Sequence, residues 1–355
     1  MKFLIDIGHP AHVHLFKNFA RVMTQRGHEF LFTCRQKEFE IELLDSNGLQ
    51  HISFGPKYKG LLGKLWGMLK FGWMEYRVAR RFKPNFFLSH GSIYAAHASF
   101  LYGKPHISLE DTYNFEQVRL YLPFTKYVLT ADYAHPLSNH PKNRSYAGYH
   151  ELAYLHPNHY QPNKEVLKQL GLQPGDAFVI LRFVSWSATH DIGHKGISME
   201  MKRKAIEEFS KYARVFISSE SELPEEFRSY QLKINPQDLH DALYFASLVW
   251  AESFTIPAEC SVLGTPSIIM HNTSSLYLKE QEEKYQLCFN FSESLEDQER
   301  AIAKGIEVLS AEGNRGIWEE RRNRLLKDKI DLTDYLVWFF ENYPKSAAKE
   351  IEYQA

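Results

Sequence analysis

The stretch "GHPAHVHLFKNF", residues 8–19, sets His9, His12 and His14 directly behind the apolar run Phe3-Leu4-Ile5. Imidazole titrates near neutral pH, so a histidine where a strand feeds a helix is a natural general base. His12 and His14 hold that place, at the edge of a ligand cleft. Either can take the proton of an acceptor hydroxyl. The plainer reading packs His14 as a helix residue and leaves Gly8 and His9 to the turn. His9, His12, His14 and Asp6 can also be read as metal ligands. A single turn offers fewer converging donors than a closed site needs, so no metal is expected.

Two more strand ends lie in "SHGSIYAAHASFLYGKPHISLEDT", residues 89–112. His90-Gly91-Ser92 follows one strand and opens a helix, and Glu110-Asp111-Thr112 follows the next. Both turns face the same cleft, where Gly8, His9, His14, His90, Ser92 and Glu110 would bind acceptor hydroxyls. Asp111 is a second candidate base. Helix capping by Ser92 and a core role for His97 are the bland alternatives.

The stretch "AESFTIPAECSVLGTPSI", residues 251–268, reads strand, turn, helix, then Gly264 and a new strand. Proline suits the first helical turn, so the helix is expected to start near Pro257. Ser253, Phe254 and Thr255 then sit at its N-terminus, where free N–H groups and the dipole suit a diphosphate. Glu259 is placed to accept from a ribose diol, or simply to complement the dipole. In "RFVSWSATHDIGHKG", residues 182–196, Arg182 can pair with phosphate. His190 and His194 bracket Asp191 and would share a helix face. Gly193 and Gly196 argue instead for a polar loop over a ligand.

These positions need strands to carry them. Strands are expected at Phe3–Ile7, Phe30–Thr33, Ile52–Phe54, Phe86–Ser89 and near Ile107 and Val128. Helices fall between them, from Val13 to Gln25 and from Lys37 to Asn47, with Gly8 and Pro10 breaking the first strand. Strand and helix alternate with short turns, which signals a parallel sheet covered on both faces. The periodicity lapses in "HPNHYQPN", residues 156–163, and restarts with strands at Phe178–Leu181, Val215–Ser218, Leu248–Trp250 and Ser267–Met270. The expectation is an α/β protein of two doubly wound Rossmann-like domains, residues 1–160 and 161–330, with a helical tail over 331–355. Open sheets of this kind bind ligands at the carboxyl ends of their strands.

At 355 residues the chain is long for one core. Its 44% hydrophobic and 24% charged residues are globular composition, and a net charge of −1 gives no field that points to nucleic acid. Cys34, Cys260 and Cys288 form no CxxC pair, which fits a reducing cytoplasm. The opening run, broken by Asp6, does not read as a signal peptide, and no stretch nears the roughly 18 apolar residues of a membrane span. Residues 57–83 hold eight Lys or Arg against one acid, interleaved with Leu61, Leu62, Leu65, Trp66, Leu69, Trp73 and Met74. That mix suits a helix lying on an anionic membrane surface, although a core helix with a basic solvent face is the commoner outcome.

The plan resembles the GT-B superfamily of nucleotide-sugar enzymes over roughly residues 1–330. The opening "IDIGHPAHVH" is similar to that of a bacterial and archaeal GT-B-like family of unknown function. More distant likenesses are the N-acetylglucosaminyltransferase that makes lipid II and UDP-N-acetylglucosamine 2-epimerase. The resemblance makes His12 the cleft histidine and Glu259 the ribose-holding glutamate. It makes Ser253-Phe254-Thr255 the diphosphate turn and Gln281 a donor-sugar contact. The glycine pair of that turn is absent, and Arg182 and His190 stand where a glycine-rich turn is usual. It implies two domains facing across a cleft, and transfer from a nucleotide-diphospho-sugar, UDP-sugar favoured, to a glycan or lipid-linked acceptor in cell-surface polysaccharide synthesis. His12 would be the base of an inverting displacement, without metal or cofactor. The rivals are a nucleotide-sugar 2-epimerase or hydrolase, and a non-catalytic peripheral membrane binding protein.

Overall fold

The computed structural model describes residues 1–36, 39–58, 60–133, 135–184, 196–219, 221–273, 275–311, 314–348 and 350–354. The chain divides into two compact units, one of Met1–His159 with Lys329–Ala355 and one of Tyr160–Asp328. The first runs β1 (Lys2–Ile7), α1 (Pro10–Gln25), β2 (Glu29–Gln36), α2 (Glu40–Ser46), β3 (His51–Pro56), α3 (Gly60–Phe82), β4 (Phe86–His90), α4 (Ile93–Tyr102), β5 (His106–Glu110), α5 (Phe115–Tyr121), β6 (Tyr127–Ala131), β7 (Asn143–Tyr146) and α6 (Leu152–Leu155). The second runs α7 (Glu165–Gln169), β8 (Phe178–Phe183), α8 (Met199–Phe209), β9 (Arg214–Ser219), α9 (Leu239–Phe245), β10 (Leu248–Ala251), α10 (Thr255–Leu263), β11 (Ser267–Met270), α11 (Leu276–Glu283), β12 (Cys288–Phe291), α12 (Leu295–Ser310) and α13 (Asn314–Asp328). The chain then rejoins the first unit with α14 (Leu332–Glu341) and α15 (Lys345–Ala348).

The first sheet is parallel, ordered β3-β2-β1-β4-β5-β6-β7, and the second is parallel, ordered β12-β11-β10-β8-β9. In each sheet the order reverses once, beside β1 and beside β8, and those are the points where open α/β sheets bind ligands. Central strands such as β1 and β8 are almost wholly buried apolar runs, as a sheet covered on both faces demands. Phe3 on β1 is enclosed by Phe19, Phe30, Phe86 and Phe340, with ring centroids 4.8–5.6 Å away. A phenylalanine so placed contributes about 3–5 kcal/mol over alanine.

The first helix corrects the sequence reading. Pro10 does not break the chain but opens α1, with His9 as N-cap accepting from Ala11 N–H. A proline at the first helical position loses no hydrogen bond, because that N–H would be unpaired in any case. The helix therefore starts three residues earlier than Val13, and His12 and His14 sit in its first turns. Val13, Phe16, Ala20 and Met23 form the buried face, as the spacing predicts. Strands β7 and β12 escape the sequence reading, being four residues long and partly exposed.

Candidate functional site

Beneath the "GHPAHVH" turn lies a buried charged network. Asp6, at the end of β1, pairs with Arg35 of β2 and accepts from Thr33 Oγ1 at 3.0 Å and from Ser92 Oγ. Arg35 also donates to the Ile7 carbonyl at 3.0 Å and lies over the Tyr94 ring. Its guanidinium reaches the neighbourhood of Gly8, where an added Cβ would meet it at 3.6 Å. An ion pair thus fixes the strand end from which the histidine turn departs. Lone acids and bases far apart in sequence gave no sign of this pairing.

Strands β1, β4 and β5 are neighbours, so their carboxyl ends bring together three of the predicted turns. The His12 and His90 rings stack at 4.6 Å. His90 Nε2 donates to Asp111 Oδ1 at 2.8 Å, and His150 Nδ1 lies 3.3 Å from Asp111 Oδ2. One carboxylate therefore bridges two imidazoles. His150 Nε2 is buried and has no hydrogen-bond partner among the described residues. His150 was missed in the sequence because it follows β7, the strand that was itself missed.

The charges differ from ring to ring. Burial pushes His12 well below its ordinary value, and the neighbouring His90 and His9 push the same way, so the ring is neutral. Burial would lower His90 too, but the Asp111 charge and hydrogen bond, helped by Glu110, raise it to about 9. Burial keeps His150 neutral. For Asp111 burial is outweighed by the imidazoles of His150 and His90, which hold it well below the carboxylate range. Glu110 is raised to about 7 by burial, against the His90 charge and a 2.6 Å bond from Tyr121 OH. Gly8 N–H donates to His12 Nδ1 at 3.2 Å, so the neutral ring carries its proton on Nε2. As placed, His12 is a donor.

The other predicted residues of this unit are spread around the cluster. His14 turns its ring to Tyr154 at 5.2 Å and its Nδ1 to Lys17. Ser92 caps α4 through Ala95 N–H while bonding Asp6. Gly91 has φ +59°, and an added Cβ would come within 2.8 Å of Glu110 Oε1, which ties the backbone to the carboxylate. Among the described residues, donor atoms converge closely enough for a metal ion at His90–Asp111–His150 and at His159–Asp331–Asp334. At the first, Asp111 gives each imidazole its own oxygen, an arrangement that hydrogen bonding by itself explains.

In the second unit, α10 begins at Thr255, two residues before Pro257, and ends at Gly264 with φ +80°. Ser253 and Phe254 form its approach. Phe254 lies 4.3 Å from the His271 ring, and Ser253 Oγ is buried without a partner among the described residues. Glu259 is buried on α10, and His240 Nε2 lies 3.1 Å from its Oε1. Arg182, at the end of β8, donates to Ser218 Oγ at 2.9 Å. Gln281 is fully buried on α11, and neither of its side-chain amide atoms has a partner among the described residues. His190, with His194 and Asp191, lies outside the described residues. Sequence reasoning missed Glu252, which follows β10. It accepts from Val184 N at 3.0 Å and Ile197 N at 2.6 Å, and pairs with Lys202.

Residues 1–287 match DUF354, a protein family of unknown function. The chain belongs to that family. No curated protein sequence matches it. Among solved structures it is similar to UDP-GlcNAc 2-epimerase from Neisseria meningitidis bound to UDP-GlcNAc, at 13% identity and TM-score 0.67, covering 96% of this chain and 100% of the other. It is similar to MnaA of S. aureus with UDP, at 12% identity and TM-score 0.68, covering 100% and 98%. It also resembles the spinosyn rhamnosyltransferase SpnG with spinosyn aglycone, at 13% identity and TM-score 0.61, covering 96% and 100%. The fold is GT-B, and its neighbours include both glycosyltransferases and UDP-GlcNAc epimerases.

Proposed function

We propose that this protein is a nucleotide-diphospho-sugar-dependent glycosyltransferase that acts on a hydroxyl acceptor with inversion. The observation that carries the reading is the Asp111 carboxylate, ionised and bridged between two imidazoles at the switch point of the first sheet. In this scheme the acceptor oxygen attacks the anomeric carbon, the bond to the diphosphate breaks, and the hydroxyl proton passes to Nε2 of neutral His150, whose Nδ1–H is held by Asp111 and whose new charge Asp111 stabilises. His12 donates from Nε2 to a substrate oxygen and does not take the proton. The N-terminus of α10, with Ser253 and Thr255, receives the diphosphate, and a nucleotide ribose lies on Glu259. UDP is the first nucleotide to try, because two of the similar structures hold UDP or UDP-GlcNAc.

Thermal stabilisation against UDP, GDP, CDP, TDP, CMP and their sugars tests the donor site. One nucleotide should raise the melting temperature, and Glu259→Ala should abolish the rise. With that donor and an acceptor, Asp111→Asn should slow transfer by about 10²–10⁴-fold while nucleotide binding persists. Transfer at the wild-type rate in Asp111→Asn would overturn the assignment.

A second reading, epimerisation, is favoured by Glu110. A buried carboxyl with a pKa of about 7 can both give and take a proton at neutral pH. Incubation with donor alone separates the two, since an epimerised sugar forms without any acceptor.

A further inference from the structure

Helix α3 is amphipathic in the unusual sense, with its apolar stripe turned outward. Leu62, Leu65, Trp66, Leu69 and Trp73 recur at the spacing of one helical face, and they are 82%, 49%, 59%, 67% and 57% exposed. The opposite side, with Phe71 and Ala79, is buried. Surface apolar residues scattered singly need no explanation, but a contiguous stripe with two tryptophans marks an interaction surface. The next turns carry Arg77, Arg80 and Arg81, all exposed, followed by exposed Lys83. The one acid of residues 57–83, Glu75, is fully buried on the inner side, and burial keeps it protonated. The outer surface of the segment is therefore apolar and cationic, with no anion.

A cavity of about 390 Å³ adjoins the C-terminal half of α3. Leu31, Ile52 and Phe54 form its wall from the sheet, and Met74, Val78 and Phe82 form the wall from the helix. Arg77 and Arg81 also line it. An apolar hollow with two guanidiniums suits a hydrocarbon chain ending in an anionic head group.

We propose that α3 docks this protein on the surface of an anionic lipid bilayer, with Leu62, Leu65, Trp66, Leu69 and Trp73 sunk among the acyl chains and Arg77, Arg80 and Arg81 at the phosphates. Charge complementarity selects the bilayer over a second copy of the chain. A two-fold contact through this face would bring two cationic segments together, with no exposed acid on either to meet the arginines. Docking here is lying on the membrane and not crossing it. Among the described residues no helix is long and apolar enough to span. The inference is independent of the transferase reading.

The test is flotation of the full chain with vesicles of phosphatidylcholine mixed with phosphatidylglycerol, against vesicles of phosphatidylcholine alone. The wild type should float with the mixed vesicles and be released by salt. Trp66→Ser with Leu69→Ser should weaken binding by at least about a hundredfold, from the apolar area no longer buried. Arg77→Gln with Arg80→Gln should weaken it by about thirtyfold, at about 1 kcal/mol for each basic residue, and reduce the preference for the anionic lipid. All four positions are exposed, so the variants should keep the wild-type circular dichroism. Failure of the wild type to float, or flotation of the Trp66/Leu69 variant at wild-type strength, overturns the proposal. So does a wild-type dimer that ignores vesicles and falls to monomer in that variant, which would assign the stripe to a second copy.

Discussion

The two sheets are both parallel and each reverses its strand order once, but they end in different chemistry. At the carboxyl ends of the first, titratable side chains pair with one another: Asp6 with Arg35, His90 and His150 with Asp111, Glu110 with Tyr121. At the ends of the second, a carboxylate serves the backbone. Glu252 binds the N–H groups of Val184 and Ile197 as well as Lys202, and Ser253 Oγ nearby lacks a partner among the described residues. The first arrangement spreads proton affinities apart, which is what acid–base chemistry requires. The second gathers donors and a helix N-terminus, which is what holding an anion requires. One fold repeated can thus divide labour through the few residues that follow each strand.

The comparison breaks most visibly at Arg35. Arg35→Met leaves Asp6 buried without its counter-ion, so urea unfolding should show a loss of about 3–5 kcal/mol. A loss under 1 kcal/mol would mean that the network is not what holds the first strand end. Glu252→Ala removes two charge-assisted backbone bonds and should cost about 2–3 kcal/mol, read in the same way.

The finest effect is the pH profile of Glu110→Gln. Burial raises the folded pKa of Glu110 to about 7, above its unfolded value of 4.5. Stability linked to the protonated form is complete below 4.5 and is lost as pH rises through 7. The melting temperature of the wild type should therefore fall relative to Glu110→Gln between those limits. Parallel curves for the two proteins would show that Glu110 titrates normally.

Much of this was legible in the sequence, for a reason visible in the strands. Parallel strands buried on both faces read as apolar runs bounded by turns, and Phe3–Ile7, Phe178–Leu181 and Ser267–Met270 were found to within two residues. The turns after β1, β4 and β5 were found with them. Pairings across the sheet were not, because nothing in sequence spacing links Asp6 to Arg35 or Asp111 to His150. Pro10 misled for a different reason: the same residue ends a strand and opens a helix, and its neighbours do not say which. The basic segment gave the composition of α3 but not which face the leucines and tryptophans occupy, since that depends on what packs beneath it.

The return of the chain to the first unit bears on the order in which the molecule is assembled. Phe340 of α14 lies within 5.2–5.4 Å of Phe3, Phe19 and Phe86, Thr333 Oγ1 donates to the Ala153 carbonyl, and Lys329 pairs with Asp132. A ribosome delivers Phe3 before any of the second unit and Phe340 only after all of it has emerged. Of the two units, the one started first is thus the one finished last. During synthesis its aromatic core waits open for a helix more than three hundred residues downstream.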